Sequence, residues 1–319
     1  MMGCTTIPSR AKYLPEVIKQ VAKQTHKPDV FCIGIPRFST REKMPYDIAS
    51  ILDMTKRYSR DMDGFDVMIS LLDEDYGPLC KLAGMLAVAP ENTIMITIDD
   101  DHVYDKTLVE TLLHGTKDFP DACVCLCGHS LGRVAKGVHA WGYRQTGFDS
   151  VPILNTLQLK HGSPVDIISG WAGVLYKRNM FGPGRGLYLS PDLEFYRRTD
   201  GIHRLHQNDD LYISAWLSSY GIQRVVIKYP GAYEQRQVAE IGGTNPLCQA
   251  GHKNWLKGHV VHFAHWWKLI GDLESRGYFA ETAAVPPTKS ILCMGTSLAI
   301  VALLGSAFAC SMIVRLKKK

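Results

Sequence analysis

The sequence predicts an α/β fold with a Rossmann-like, mostly parallel sheet flanked by helices, followed by a C-terminal transmembrane helix. Short apolar runs alternate with amphipathic segments along most of the chain, an order typical of parallel sheets. The run at 93–98 is rich in β-branched residues, as expected of a strand buried on both faces. The predicted strands span residues 1–6, 30–35, 66–72, 93–98, 122–127 and 222–229, and residues 165–176 are predicted as two strands joined by a turn at 170–173. The predicted helices span residues 13–24, 48–58, 79–88, 103–117 and 211–220.

Length and charge limit the functions that need to be considered. The 319 residues can hold one large α/β domain, which we expect over residues 1–284. The formal net charge is +5, but the tail at 315–319 contributes +4 of it, which leaves +1 for residues 1–314. A protein that binds nucleic acid usually carries a basic face. A charge so near zero does not predict such a face, and we expect no nucleic-acid partner.

The C-terminal segment has the composition of a membrane anchor. Residues 291–314 are 24 residues without a charged side chain, and as a helix they would extend about 36 Å. This length crosses a hydrocarbon core of about 30 Å. We therefore expect a linker at 285–290, a single-pass transmembrane helix at 291–314 and a basic tail at 315–319. The alternative is a buried helix of a soluble domain.

Two signals about membrane topology oppose each other. The basic tail favours a cytosolic C-terminus, which would place the folded domain across the membrane from the cytosol. However, the hydrophobic segment comes last in the chain, and no apolar segment precedes it that could direct translocation. The nine cysteines are scattered without a disulfide pattern, and the chain has no Asn-x-Ser/Thr sequon. We expect a tail-anchored protein whose domain faces the cytosol.

Three consecutive carboxylates follow the predicted strand at 93–98. Asp99, Asp100 and Asp101 have no opposite charge beside them in sequence, so their repulsion is costly unless they are solvated or bind a cation. Asp99 and Asp101 lie two residues apart and would project to the same side if strand geometry continued. Carboxylate oxygens suit Mg²⁺ or Mn²⁺ shared with a substrate phosphate. The alternative is an acidic loop in which Asp101 caps the predicted helix at 103–117.

Five short segments carry a resemblance to a known family. They are Thr5-Thr6-Ile7-Pro8-Ser9-Arg10, Tyr76-Gly77-Pro78-Leu79-Cys80-Lys81-Leu82, Asp99-Asp100-Asp101, Gly170-Trp171-Ala172-Gly173 and Asn208-Asp209-Asp210-Leu211-Tyr212-Ile213-Ser214. In this order they resemble a nucleotide-sugar glycosyltransferase of the GT-A fold, in the broad family-2-like group, over about residues 3–230. The resemblance implies that the metal ion, Mn²⁺ or Mg²⁺, is held by Asp99 and Asp101. It implies that the nucleotide-sugar is held by Thr5, Thr6, Pro8, Arg10, Lys81, Asp99, Asp100, Gly170, Trp171 and Ala172.

The resemblance also implies which residues carry the chemistry. The leaving nucleoside diphosphate develops negative charge, which a divalent ion held by Asp101 and Asp99 would stabilise. Asp210 is our candidate for the general base that activates an acceptor hydroxyl for inverting transfer, with Asp209 holding acceptor hydroxyls. Asp209 stands where many relatives carry Glu. For both residues, the alternative is that they cap the helix at 211–220.

Three further residues each have two interpretations. Lys81 would add a positive charge near the donor phosphates, or would be a solvent-exposed lysine of the helix at 79–88. His262 would complete the metal site, as a late histidine does in some proteins of this fold, or would pack beside the neighbouring tryptophans. Trp171 would stack on a sugar ring or lie in the core.

The sequence therefore predicts a metal-dependent glycosyltransferase. Within the resemblance, its donor is most commonly a UDP-sugar, and its acceptor is a hydroxyl of a glycan, lipid or protein. A nucleotidyltransferase also uses paired carboxylates and a metal ion, but it usually has a glycine-rich basic loop after the first strand. Ile7-Pro8-Ser9-Arg10 lacks those glycines. A membrane-tethered carbohydrate- or partner-binding module without catalytic activity is the third alternative.

Overall fold

A computed structural model describes residues 1–61, 64–135, 138–142, 161–182 and 209–228, together with positions 273 and 276. Within these residues the strands are β1 (Met2–Cys4), β2 (Val30–Pro36), β3 (Phe38–Ser39), β4 (Met44–Pro45), β5 (Asp66–Leu72), β6 (Ile94–Thr97), β7 (Cys123–Cys125), β8 (Gly128–Ala135), β9 (Val138–Gly142), β10 (Ser163–Pro164), β11 (Ile167–Ile168), β12 (Val174–Lys177) and β13 (Arg224–Val226). The α-helices are α1 (Leu14–Ala22), α2 (Ile48–Asp61), α3 (Cys80–Val88), α4 (Leu108–Asp118) and α5 (Asp209–Ser219).

Eight of these strands form the central sheet, in the order β10-β13-β7-β12-β6-β1-β2-β5. β1 pairs in parallel with β2 and β6, β2 pairs in parallel with β5, and β7 pairs in parallel with β13. β12 runs antiparallel between β6 and β7, and β10 is antiparallel to β13 at the edge. The mostly parallel sheet confirms the predicted α/β class. Because β1 and β6 are adjacent and parallel, the residues that follow them lie at the same edge of the sheet.

Helices cover both faces of this sheet because its strands are apolar on both sides. Met95 of β6 packs with α3 and α5 on one face, whereas the next residue, Ile96, packs with α1 and α4 on the other. This alternation is the two-residue period of a strand. α3 differs from the amphipathic α1, because each of its residues from 80 to 86 is buried. α3 is therefore an interior helix, and Lys81 lies inside the protein with it.

Glycines let α3 lie very close to the sheet. A Cβ on Gly34 of β2 would lie 2.1 Å from the carbonyl oxygen of Cys80, and a Cβ on Gly84 of α3 would lie 2.6 Å from the Cα of Gly34. A Cβ on Gly3 of β1 would lie 2.7 Å from the sulfur of Met85. At Gly34 and Gly84 the obstructing atoms belong to the backbone, so a side chain at either position would push the helix away from the strand. These two glycines thus set the distance between α3 and β2.

The helix expected at 103–117 begins later, at Leu108. Asp105 forms the turn that starts it: its Oδ1 accepts hydrogen bonds of 2.8 Å from both the backbone N–H and the hydroxyl of Thr107. The backbone oxygen of Asp105 also accepts a bond of 3.1 Å from the N–H of Leu108. The interpretation of Asp101 as the cap of this helix is therefore wrong.

The stretch after β7 contains a hairpin that the sequence pattern did not reveal. Residues 128–163 have no clean apolar period, yet β8 and β9 pair as antiparallel strands within it, and β11 pairs with β8. The pairing of β8 with β9 is irregular between Arg133 and Ala135. Such a register shift breaks the two-residue alternation by which a strand is detected in sequence.

Within the described ranges, no helix has the length and apolar character needed to cross a membrane. The predicted linker, transmembrane helix and tail at 285–319 lie outside the described residues. The anchor therefore stays a prediction.

We predict that Gly34→Ala destabilises the protein by about 3 kcal/mol or more, the upper end of the cost of overpacking a core. The reason is that the added Cβ meets a backbone oxygen, which cannot rotate away. Urea unfolding followed by circular dichroism measures the change. Gly221→Ala is the matched control, because Gly221 has φ +66° but no atom within 4 Å of an added Cβ. Its cost should be about 1–2 kcal/mol, and equal losses for both variants would contradict the close contact.

Candidate active site

The candidate site lies at the carboxyl edge of β1 and β6, where α3 and α5 also present their first residues. Asp99, Asp100 and Asp101 follow β6, which ends at Thr97, after the single residue Ile98. Thr5 and Thr6 follow β1, which ends at Cys4. The sequence-predicted residues from these separate segments are therefore brought together, as expected for a ligand site in an open α/β sheet.

Arg10 binds two of the three consecutive carboxylates. Its Nη2 lies 2.8 Å from Asp100 Oδ1 and its Nη1 lies 2.7 Å from Asp101 Oδ2. Arg10 belongs to a 3₁₀ turn, Pro8–Tyr13, that starts with Pro8, a residue whose ring suits the first position of a helix. Burial raises the pKa of Asp100 to about 6, although the charge of Arg10 acts in the opposite direction. The cluster that had no opposite charge beside it in sequence thus gains one through the fold.

The segment after β1 is held by the β3–β4 hairpin. The Tyr46 hydroxyl donates to the backbone oxygen of Thr6 at 2.8 Å, and the backbone N–H of Ser9 donates to Glu42 Oε2 at 2.9 Å. Thr6 is buried, whereas Thr5 is half-buried. The predicted strands do not include this hairpin, because two-residue strands are too short to show a period. The hairpin is a wall of the site at the end of β1.

Lys81 connects the two acidic segments. Its Nζ lies 2.5 Å from Asp99 Oδ1 and 2.7 Å from Asp209 Oδ2, and the residue is only 1% exposed. Burial alone would lower the pKa of Lys81, but the carboxylates of Asp209 and Asp99 raise it well above its usual value. The ammonium therefore stays charged. The interpretation of Lys81 as a solvent-exposed helix lysine is wrong.

Asp210 is held by the turn that precedes β12. Its Oδ1 accepts a hydrogen bond of 2.6 Å from the backbone N–H of Gly170, in the 3₁₀ turn Gly170–Ala172. A Cβ on Gly170 would lie 2.8 Å from that same oxygen and 3.1 Å from Lys81 Nζ. A side chain at position 170 would therefore displace the Asp210 carboxylate from this hydrogen bond. Burial and the charge of Asp209 raise the pKa of Asp210 well above its usual value, with Lys81 acting in the opposite direction.

The capping interpretation of Asp209 and Asp210 is replaced by these contacts. α5 begins at Asp209, so both residues lie in its first turn, and neither precedes the helix. Their carboxylates reach across the site to Lys81 and Gly170. Negative charge in a first turn is still favourable because the N-terminus of a helix carries partial positive charge.

His102 is a site residue that sequence reasoning missed. Asp99, Asp101 and His102 each offer one ligand atom, and these atoms lie within 4.8 Å of one another. His102 Nδ1 is 2.8 Å from Asp101 Oδ1. In the sequence, the feature that could have identified His102 is its position directly after the three carboxylates. His262, the histidine predicted for the metal, lies outside the described residues.

The donor set of this cluster fits Mn²⁺ or Mg²⁺. Carboxylate oxygens are the preferred ligands of both ions. Each oxygen has two lone pairs, so Asp101 can hold an ion while bonded to Arg10 and His102. Burial would raise the pKa of Asp101, but its hydrogen bond with His102 and the positive charge of Arg10 hold that pKa below its usual range. Asp101 is therefore ionised, as a metal ligand must be.

The Gly170–Ala172 turn is fastened to Asp99 through Tyr104. The Tyr104 hydroxyl accepts a hydrogen bond of 2.8 Å from the N–H of Asp99 and donates one of 2.9 Å to the backbone oxygen of Trp171. The Trp171 ring lies 5.4 Å from the ring of His102, and it packs partly against the core. Ala172 is fully buried in that core. Trp171 thus borders both the core and the site, while Ala172 supports the turn from below.

Carboxylates outnumber cations at this edge. Arg10 and Lys81 pair with them directly, and Arg41 is close enough to Asp100 and Asp101 to be influenced by their charge. Among the described residues these three permanent cations face five carboxylates: Asp99, Asp100, Asp101, Asp209 and Asp210. Asp210, whose pKa is raised, adds to this negative charge only when it is ionised, but the other four carboxylates still outnumber the three permanent cations, which favours binding of a divalent cation.

No protein-family model and no curated protein sequence matches the chain. Among solved structures, TarS of S. aureus is 15% identical over 72% of this chain and 35% of that chain, with a TM-score of 0.38. This chain thus spans about a third of that one. TarS 1–349 in complex with UDP is 13% identical over 81% of this chain and 67% of that chain, with a TM-score of 0.38.

A third solved structure is the mannosyltransferase PcManGT of Pyrobaculum calidifontis in complex with GDP-Man and Mn²⁺. It is 15% identical over 94% of this chain and 81% of that chain, with a TM-score of 0.37. At these identities and TM-scores the likeness assigns no function, which has to come from the site.

We predict that His102→Ala weakens Mn²⁺ binding by about 10-fold or more, because loss of a ligand or of its hydrogen-bonded neighbour typically costs about 10–100-fold in metal affinity. Titration of Mn²⁺ followed by electron paramagnetic resonance measures it. His114→Ala is the control, since His114 is exposed on α4, and it should leave the affinity unchanged. Unchanged affinity in both variants would remove His102 from the metal site.

Proposed function

We propose that this protein is a metal-dependent glycosyltransferase that moves a sugar from a nucleotide-sugar donor to a hydroxyl acceptor with inversion. The observation that supports it most is the Lys81 ammonium, which bonds a carboxylate of each acidic segment, Asp99 and Asp209. A metal-binding group and a candidate base therefore lie within one site. Transfer of a sugar needs both, one for the leaving diphosphate and one for the acceptor.

On the donor side, the residues are held in place before a substrate arrives. When bound, Mn²⁺ or Mg²⁺ would supply positive charge that stabilises the leaving diphosphate. Asp99, Asp101 and His102 would hold the ion. Arg10 and His102 each bond one oxygen of Asp101, so this ligand keeps its orientation, as a preorganised site requires.

On the acceptor side, Asp210 is suited to remove a proton from the attacking hydroxyl. The N–H of Gly170 holds its Oδ1, and Oδ2 takes no part in that bond. The residue is half-buried, so it remains reachable from the open edge. A base whose pKa is raised by its surroundings accepts a proton more readily near neutral pH than an ordinary carboxylate does. Asp209 beside it would hold acceptor hydroxyls while paired with Lys81.

The donor is a nucleoside-diphosphate sugar in this proposal, with UDP as the first choice. Three of the similar solved structures are complexes, with UDP, UDP-GlcNAc and GDP-Man. The acceptor is a hydroxyl of a glycan, lipid or protein. A nucleotidyltransferase is less well supported, because the turn after β1 begins with Pro8 and carries Arg10 to the carboxylates, where such enzymes usually have a glycine-rich phosphate loop.

We predict that the protein releases nucleoside diphosphate from one member of a panel of sugar nucleotides only when Mn²⁺ or Mg²⁺ is present. Asp101→Ala should lower the rate at least about 100-fold, because it removes a ligand of the charge-stabilising ion. Asp118→Ala is the control, since Asp118 lies on the exposed end of α4, and it should leave the rate unchanged. Full activity in excess EDTA would overturn the metal dependence. Nucleoside monophosphate or pyrophosphate as product would indicate nucleotidyl transfer, and no release from any donor would favour a binding module.

We predict that Asp210→Asn lowers turnover about 10²–10⁴-fold, the usual contribution of a well-placed base, while UDP affinity stays within about threefold. The product formed from an α-linked donor should carry a β linkage, seen by NMR. Because the base acts only when ionised, the wild-type rate should rise with pH, and the raised pKa of Asp210 places that rise above the usual value of about 3.9 for Asp. A retained α linkage, or near-normal turnover by the variant, would contradict this role.

We further propose that residues 291–314 anchor the protein in a membrane as a single C-terminal span, with the domain facing the cytosol. Their lack of charge over 24 residues supports this. A protein truncated after Ala284 should stay in the supernatant after ultracentrifugation and still bind UDP with Mn²⁺, whereas the full chain should sediment with membranes. A truncated protein that is unfolded would mean that the segment belongs to the core.

A further inference from the structure

Lys81 has little capacity left for a substrate phosphate. The Lys81 ammonium donates a hydrogen bond of 2.5 Å to Asp99 Oδ1 and forms an ion pair of 2.7 Å with Asp209 Oδ2, so two carboxylates already compete for its three N–H donors. The residue is 1% exposed. A group that binds a diphosphate arriving from solvent is expected to be more open than this.

The backbone also lies close to Lys81 on two sides. Gly170 lies over it, so that even a Cβ at position 170 would come within 3.1 Å of Nζ. On the other side, the contacts of Gly34 and Gly84 hold α3 against β2. Lys81 is therefore fixed between the sheet and the turn that also holds Asp210.

We propose that Lys81 is a positioning residue, which holds the acceptor-side carboxylates at the start of α5 against Asp99 at the end of β6 and does not bind the donor diphosphate. This inference rests on the proposed function and assigns Lys81 a different role within it from the one implied by the family resemblance. Without the shared ammonium, Asp99 and Asp209 would repel each other, and the first turn of α5 would move away from the donor side.

The groups that face Asp210 allow a second readout. Asp209 lies beside it on α5, Lys81 faces it from α3, Asp99 faces it from the end of β6, and the Gly170 N–H bonds it. Lys81 is the positive charge among them. Its removal should shift the rising limb of the rate toward higher pH, because Asp210 would hold its proton more strongly. A residue that served only to stabilise the fold would leave that limb in place.

The experiment compares Lys81→Met, Asp209→Asn and the double variant of the full chain, with Lys19→Met as the control for losing a lysine whose ion pair is exposed. Lys81→Met should lower the urea midpoint more than Lys19→Met does. The double variant should recover part of that loss, because it no longer buries an unpaired Asp209 carboxylate. Strictly additive midpoint shifts would overturn the coupling, and this readout needs no nucleotide.

The second measurement is the affinity for UDP with Mn²⁺, by calorimetry, in the double variant compared with Asp209→Asn alone, so that only Lys81 differs. We expect the two affinities to agree within about threefold. In Lys81→Met we expect kcat to fall about 100-fold with the KM for the donor within about threefold. A loss of UDP affinity of about 10-fold or more in the double variant would overturn the proposal and place Lys81 on the diphosphate. If the wild type binds neither UDP nor GDP, the proposed function fails, and the unfolding data alone decide the positioning role.

Discussion

The carboxyl edge of the sheet must accommodate more negative charge than its neighbouring side chains neutralise. Arg10 bonds two of the carboxylates after β6, and Lys81 bonds the third together with Asp209. Each pair is at least partly buried, where removal of one partner would leave an unpaired charge at high cost. The negative charge that these cations do not neutralise favours a ligand that binds together with a divalent cation. Stability and binding thus depend on the same contacts.

This charge arrangement depends in turn on the close packing of α3 against the sheet. α3 can present a lysine to the site only because it lies against β1 and β2 at glycine-to-backbone distances, with Gly34 and Gly84 at the contact. Because Lys81 is buried, its side chain cannot change conformation to compensate for a shift of α3. A substitution that moves the helix would therefore also break the ion pairs of Lys81. The Tyr104 hydroxyl joins Asp99 to the turn beneath Trp171 in the same way, through one hydrogen bond on each side.

The sequence predicted the class of fold and the two acidic segments, because buried strands and the charges at their ends are local features of the chain. It could not predict that Lys81 pairs with Asp209. This contact depends on how the fold brings α3 and the start of α5 together, and these two helices are far apart in sequence. His102 was overlooked for a related reason: a single histidine has no period, and its role is visible only from its distances to Asp99 and Asp101. The start of α4 was misplaced because a short turn at Asp105 resembles a continued helix in sequence.

Binding of a divalent cation together with a nucleoside diphosphate at this edge is the property from which the proposed activity follows. A crystal structure with Mn²⁺ and UDP, with an anomalous difference map recorded at a wavelength where manganese scatters, measures it directly. We predict a manganese peak about 2.1 Å from carboxylate oxygens of Asp99 and Asp101, with UDP phosphate oxygens on the same ion and the Lys81 ammonium still between Asp99 and Asp209. Manganese bound elsewhere, or UDP bound away from these carboxylates, would contradict the proposed site.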